Sequence, residues 1–122
     1  MPTSKKAKLR READKLFKEA ILLKADYKCE VCNSQFGITA HHFIPRSLAG
    51  HLMYYLPNGV CLCRGCHFAF HKKSDPTIVA KIIEKRGRKW LTDLEKRKKE
   101  KHYSYKSIIY YETIINQLNA QS

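Results

Sequence analysis

Four cysteines stand in two pairs of identical spacing, Cys29 and Cys32 in CEVC and Cys63 and Cys66 in CRGC. Two such knuckles can bring four thiolates around one tetrahedral ion, because each presents two sulfurs from a tight turn. The spacing predicts a structural zinc site, closed and saturated, which organises the surrounding loop and performs no chemistry. A redox use needs one such motif at a strand-to-helix junction of a βαβ unit, whereas these two lie in an irregular segment. Cys61, in VCLCRGC, is left over and reads as a small buried hydrophobe.

Chemistry must come from elsewhere, and the histidines are placed for it. His41 and His42 lie adjacent in TAHHFIPRS, between the knuckles; His67 and His71 follow the second knuckle in CHFAFHKK. If that last stretch begins a helix, residues i and i+4 project from one face and can grip a single ion. In an extended AHHF segment, adjacent side chains point to opposite sides. One imidazole can then turn toward the ion while its neighbour addresses something else, which is a physical reason to put two together: one ligand and one base. His67 directly follows a knuckle cysteine, so packing beside the zinc is the alternative to ligation there. His51 and His102 fall outside the pattern and read as surface residues.

Asn58, in YLPNGVCLC, has a plain explanation as a turn residue. Its place in the order matters more: His-His, then Asn, then His, bracketed by the cysteine knuckles. With that order on the page the sequence resembles the HNH endonuclease family, the ββα-metal fold. HHFIPRS is similar to its first His strand, PNGVCLCRGCH to its central Asn segment and CHFAFH to its closing helix, over about residues 27–73. The resemblance implies His41 as a ligand of a catalytic metal and His42 as the general base that takes a proton from water. It implies Asn58 as the residue that holds the ββ loop, His71 as a second metal ligand and His67 as a third. It also implies 5′-phosphate and 3′-hydroxyl products.

Elementary chemistry agrees with those roles. Neutral imidazole titrates near neutrality, which suits proton removal from water. A divalent ion stabilises the negative charge that develops on the attacked phosphate. Imidazole ligands accept Zn2+, Ni2+ or Mn2+, and an ion with open water positions is also compatible with Mg2+. Arg46, after the base, and Arg64, inside the second knuckle, are candidates for phosphate contact because guanidinium binds phosphate bidentately. A surface arginine without a ligand is the alternative for each. Arg86, Arg88 and Lys89 in KRGRKW extend the candidate phosphate track; a solvated helix face is the alternative.

These residues need elements to hold them. From about Ser4 to Lys24, Leu9, Ala13, Leu16, Phe17, Ala20 and Leu23 recur at helical spacing with Lys and Arg on the other face, predicting an amphipathic basic helix. After the histidines, Asp75 offers an N-cap, Pro76 a first helical position and Gly87 a stop. Ile78, Val79, Ile82 and Ile83 form the expected inner face. A second short helix follows with Trp90, Leu91 and Leu94 inward. SYKSIIYYETIINQLN reads as a last helix carrying Ile108, Ile109, Ile114, Ile115 and Leu118, with strand as the alternative for so β-branched a stretch.

The chain has 122 residues, room for one compact domain, with 24 Lys plus Arg against 11 Asp plus Glu for a formal charge of +13. Such a field attracts polyanions, nucleic acid before anionic membrane. No apolar run predicts a membrane span or secretory signal, so the cysteines are expected in a reducing cytoplasm, a phage-infected bacterial cell included. The expected fold is α+β: a zinc-stabilised ββα-metal core between an N-terminal helix at about 4–24 and a helical extension at about 75–120. The expected function is metal-dependent hydrolysis of DNA phosphodiesters, read mainly through the backbone. The rivals are a non-catalytic zinc module that binds nucleic acid, and an adaptor whose C-terminal stretch docks on a partner.

Outside the core, LRREADKLFKEAILLK and IIEKRGRKWLTDLEK are similar to phage recombination nucleases of the Rap or NinG type, which are associated with branched DNA. That family tends to carry Asn where this chain has His67. A homodimer, or a phage or recombination protein as partner, belongs to this expectation.

Overall fold

The computed structural model describes residues 4–71, 75–100 and 107–120. Within them the chain forms helix α1 (Lys5–Lys24), strands β1 (Thr39–His42) and β2 (Gly59–Leu62), and helices α2 (Arg64–His71), α3 (Pro76–Arg86), α4 (Arg88–Lys99) and α5 (Ile108–Ala120). Short 3-10 turns at Gly50–Leu52 and Leu56–Asn58 lie in the connection between the strands. The architecture is α+β, with β1, β2 and α2 as a ββα unit set among helices. No described helix is long and apolar enough to cross a membrane.

α1 begins where Ser4 accepts a hydrogen bond from the Ala7 N–H at 3.1 Å, as an N-cap should. It buries Ala13, Phe17 and Ile21, a stripe at i, i+4 spacing, whereas Leu23, expected inward, is 58% exposed. α5 packs along α1 with Tyr111, Ile115 and Leu118. Ile108 and Ile109, also expected inward, face out because Tyr111 takes the position against α1. Over Ile108–Ala120 the chain is helix and not strand, and residues 104–106 of that stretch lie outside the described residues.

The two strands pair antiparallel, with Thr39 opposite Leu62, Ala40 opposite Cys61, His41 opposite Val60 and His42 opposite Gly59. β2 is buried on both faces. Cys61 joins the α1–α5 core, while Val60 and Leu62 pack with Cys29, Ile78 and Ile82. Burying side chains of this size contributes about 1.5–3 kcal/mol each before conformational entropy is set against it. Gly59 is where α1 approaches most closely: a Cβ there would stand 2.1 Å from Ile21 Cδ1 and 3.0 Å from Phe17 Cζ. Only glycine lets the helix lie against the end of the hairpin.

α3 starts and stops on the expected signals. The Asp75 carboxylate accepts from the Thr77 N–H at 2.9 Å, Pro76 is the first helical residue, and Gly87 turns the chain at φ +95° into α4. Ile78 and Ile82 are buried and Val79 and Ile83 half-buried. In α4, Leu94 packs with Ile44, Ala49 and Leu52, and Trp90 and Leu91 are half-buried. These contacts hold the connection between the strands.

Candidate metal centre and catalytic histidine

The four knuckle cysteines converge, with their sulfurs all within 4.8 Å of one another and Cys32 Sγ 3.5 Å from Cys63 Sγ. Zn–S distances of about 2.3 Å in a tetrahedron place sulfurs about 3.8 Å apart, so the quartet fits a zinc ion. Burial pushes the Cys29 thiol up, but backbone N–H groups of Cys32, Cys63 and Val31 outweigh it and bring the thiol down to about 7. The Cys66 thiol is pushed up by burial and by sharing hydrogen with its neighbours. Four thiols packed this closely compete for charge, a conflict that a cation relieves. Cys61 stands apart: burial drives its thiol up to about 11, as befits a small apolar member of the core.

α2 begins inside the second knuckle, so the turn that places Cys63 and Cys66 also sets the direction of His67 and His71. Both rings meet His41. The His41 and His67 centroids are 3.7 Å apart with rings nearly parallel, His67 and His71 are 4.6 Å apart, and one donor atom from each of the three lies within 4.8 Å of the others. Burial lowers the His41 pKa to about 4, helped by the neighbouring His67 and His71 rings, so His41 is neutral at physiological pH and keeps a lone pair to donate. Its Nε2 is held by a hydrogen bond with the Thr39 hydroxyl, which fixes the ring. Three imidazoles converging in this way fit a divalent ion and leave coordination positions open.

His42 turns the other way, as the strand alternation requires. Its ring stacks on Phe17 of α1, centroids 5.2 Å apart and planes 7° from parallel, and its Nε2 donates to the Met53 carbonyl at 2.7 Å. A carbonyl only accepts, so the neutral ring carries its proton on Nε2 and its lone pair on Nδ1. Burial lowers the His42 pKa and Arg46 adds to this, against the Met53 hydrogen bond and Asp14, which raise it.

Asn58 is fully buried. Its Oδ1 accepts from the Ile44 N–H at 2.8 Å and its Nδ2 donates to the Ile44 carbonyl at 3.1 Å, while its own carbonyl accepts from the Phe43 N–H at 2.8 Å. One residue thus fastens both positions that follow His42. The turn holding Asn58 is itself gripped from outside. Arg86 donates to the carbonyls of Pro57 at 3.4 Å and Gly59 at 2.8 Å, and the Trp90 indole donates to Pro57 at 2.7 Å.

Arg86 therefore departs from its expected place on a phosphate track. Its guanidinium is paired with Glu30 of the first knuckle, Nε to Oε1 at 2.8 Å and Nη2 to Oε2 at 2.9 Å, inside the fold. Glu30 Oε2 in turn accepts from the Cys61 N–H at 2.7 Å, tying the knuckle to β2. Arg64, at the start of α2, and Arg88 and Lys89, in the first turn of α4, are exposed. Arg46 is exposed and reaches back so that Nη1 is 3.5 Å from the Met53 sulfur. His51, expected as a bare surface residue, donates from Nε2 to the Arg97 carbonyl in the last turn of α4. His102 lies outside the described residues. Phe17, Met53, Thr39, Glu30 and Trp90 had no signal of their own beyond helical periodicity or membership of a knuckle.

Against models of known families, residues 29–73 match the one described as HNH endonuclease. The matched segment runs from the first knuckle cysteine to just past His71, so it contains both metal-capable clusters, His42 and Asn58. Phe17, Arg86 and Trp90, which contact the β2 end of the hairpin and the Asn58 turn, lie outside it. Neither the curated proteins nor the solved structures contained a match to this chain.

Proposed function

We propose that this protein is a metal-dependent DNA endonuclease in which His42 is the general base. The observation that carries the reading is the division of the adjacent pair, His41 joined to His67 and His71 and His42 turned away with its lone pair on Nδ1. An HNH domain makes a nuclease the general class; the residue roles are this chain's own reading.

His41, His67 and His71 would hold the divalent ion, whose chemistry when bound is Lewis-acid stabilisation of charge on a phosphate oxygen. His42 Nδ1 takes a proton from water. The water oxygen forms a bond to phosphorus, the bond to the 3′ oxygen breaks, and that oxygen leaves as a hydroxyl after protonation from solvent. Met53 and Phe17 keep the His42 ring in the tautomer and plane this requires. Asn58 keeps the backbone after His42 from moving. The cysteine quartet, with zinc, would hold α2 so that His67 and His71 reach His41. Branched DNA of the kind met in recombination is the narrower form of this proposal.

The test is incubation of purified protein with supercoiled, single-stranded and branched DNA across Mg2+, Mn2+, Ni2+ and Zn2+, beside a His42→Ala variant. Nicking that needs an added ion and falls by about two orders of magnitude or more in the variant is the expected result. DNA binding without nicking under any ion would overturn it in favour of a binding module.

A further inference from the structure

We propose that the cleft between the first turns of α1 and the loop after β1 binds a backbone phosphate of the nucleic-acid strand that reaches the histidine site. The identity of the strand rests on the nuclease reading above; the cleft itself does not.

The cleft encloses about 380 Å³ and is lined by Lys6 and Arg10 of α1, Arg46, Gly50 and Met53 of the connection between the strands, and Tyr111 of α5. Three cationic side chains from two separate parts of the chain share it, and among the described residues no carboxylate lines it. Lys6 and Arg10 stand at i and i+4 on one helix face, where like charges repel. A third cation brought to the same concave wall adds repulsion, which a bound anion reverses. Guanidinium groups suit phosphate in particular, because they meet two of its oxygens at once.

Met53 connects the cleft to the site. Its sulfur lies against the Arg46 guanidinium, and its carbonyl accepts the His42 Nε2 proton. A phosphate in the cleft is therefore one residue away from the ring proposed as base. α1 continues the track past the site: Phe17 carries the His42 ring, and Lys18 is the next residue along the helix. Arg10 and Lys18 are separated by about 12 Å along the helix axis. A strand lying along α1 would meet cations before and after Phe17.

The test is binding of a short fluorescein-labelled DNA duplex, followed by anisotropy across a salt series with no added divalent ion. Lys6→Ala combined with Arg10→Ala is expected to weaken binding about tenfold or more at moderate salt, and to flatten the slope of log K against log salt by about 1.8. Lys5→Ala with Lys8→Ala removes the same charge from the same helix without touching the cleft, and is expected to shift affinity by no more than about threefold. Equal losses in the two double variants, or an unchanged slope in the first, would overturn the proposal. A wild-type chain that binds in this way yet nicks no DNA would remove the nuclease reading and leave the cleft standing. A wild-type chain that nicks, beside a Lys6/Arg10 double variant of full affinity, would do the reverse.

Discussion

The Arg86 guanidinium and the Glu30 carboxylate face each other with Nη2 2.7 Å from Oε1, their side chains only 18% and 5% exposed. This pair joins α3 to the first cysteine knuckle, and through Arg86 to both carbonyls that flank Asn58. Removing one member of a buried, hydrogen-bonded pair costs about 3–5 kcal/mol, because the other charge is left without a partner. Arg86→Ala is therefore expected to lower stability by about that amount in denaturant unfolding followed by Trp90 fluorescence. A loss below about 1 kcal/mol, the worth of a surface pair, would show that the clamp contributes nothing.

Zinc removal should disturb the second cluster as well as the first. α2 starts between Cys63 and Cys66, so the quartet sets the direction in which His67 and His71 project. Elemental analysis is expected to find bound zinc that Cys29→Ser reduces. A strong chelator is expected to lower the melting temperature and broaden the NMR signals of the His41, His67 and His71 imidazoles. Unchanged imidazole signals in zinc-free protein would separate the two clusters.

Gly59→Ala tests the close approach of α1 to the hairpin. The added methyl would meet Ile21 and Phe17, both buried, and Gly59 has an ordinary negative φ, so the effect is one of space and not of backbone strain. Overpacking of this kind costs about 1–3 kcal/mol, measurable as a lower urea midpoint at unchanged slope. A neutral result would mean that α1 shifts freely on β2.

Tyr54 gives the fold a dependence on high pH. Its hydroxyl donates to Asp14 Oδ1, and burial, with that carboxylate, raises its pKa well above the usual phenol value. The unfolded chain ionises this phenol near pH 10 and the folded chain does not. The stabilisation is thus fully present below pH 10 and declines as pH rises past it, by about 1.4 kcal/mol per pH unit. Unfolding measured between pH 8 and 11 is expected to fall less steeply in Tyr54→Phe. Parallel curves would exclude the linkage.

The parts of the site with their own chemistry were legible in the sequence. Cysteine spacing, the His-His pair and the i, i+4 histidines each need a particular local geometry, and Asp75, Pro76 and Gly87 mark helix ends by their backbone preferences. What escaped depends on partners distant in sequence. KRGRKW reads as a charge run until Glu30 is seen beside Arg86, and an apolar helix such as α5 does not reveal by composition that Tyr111, and not Ile109, meets α1. Leu23 was misplaced for the same reason: two overlapping helical stripes fit α1, and the position of α5 selects the one through Ile21.

The grip of Arg86 and Trp90 on the Asn58 turn, with Phe17 and Ile21 packed close against Gly59 beside it, has a bearing on protein engineering. A ββα finger excised at residues 29–73 and grafted onto another scaffold would arrive without either support. Its asparagine would be free to wander, and the imidazole it steadies would lose its aim. A transplant that keeps the chemistry must bring helices from both flanks with it.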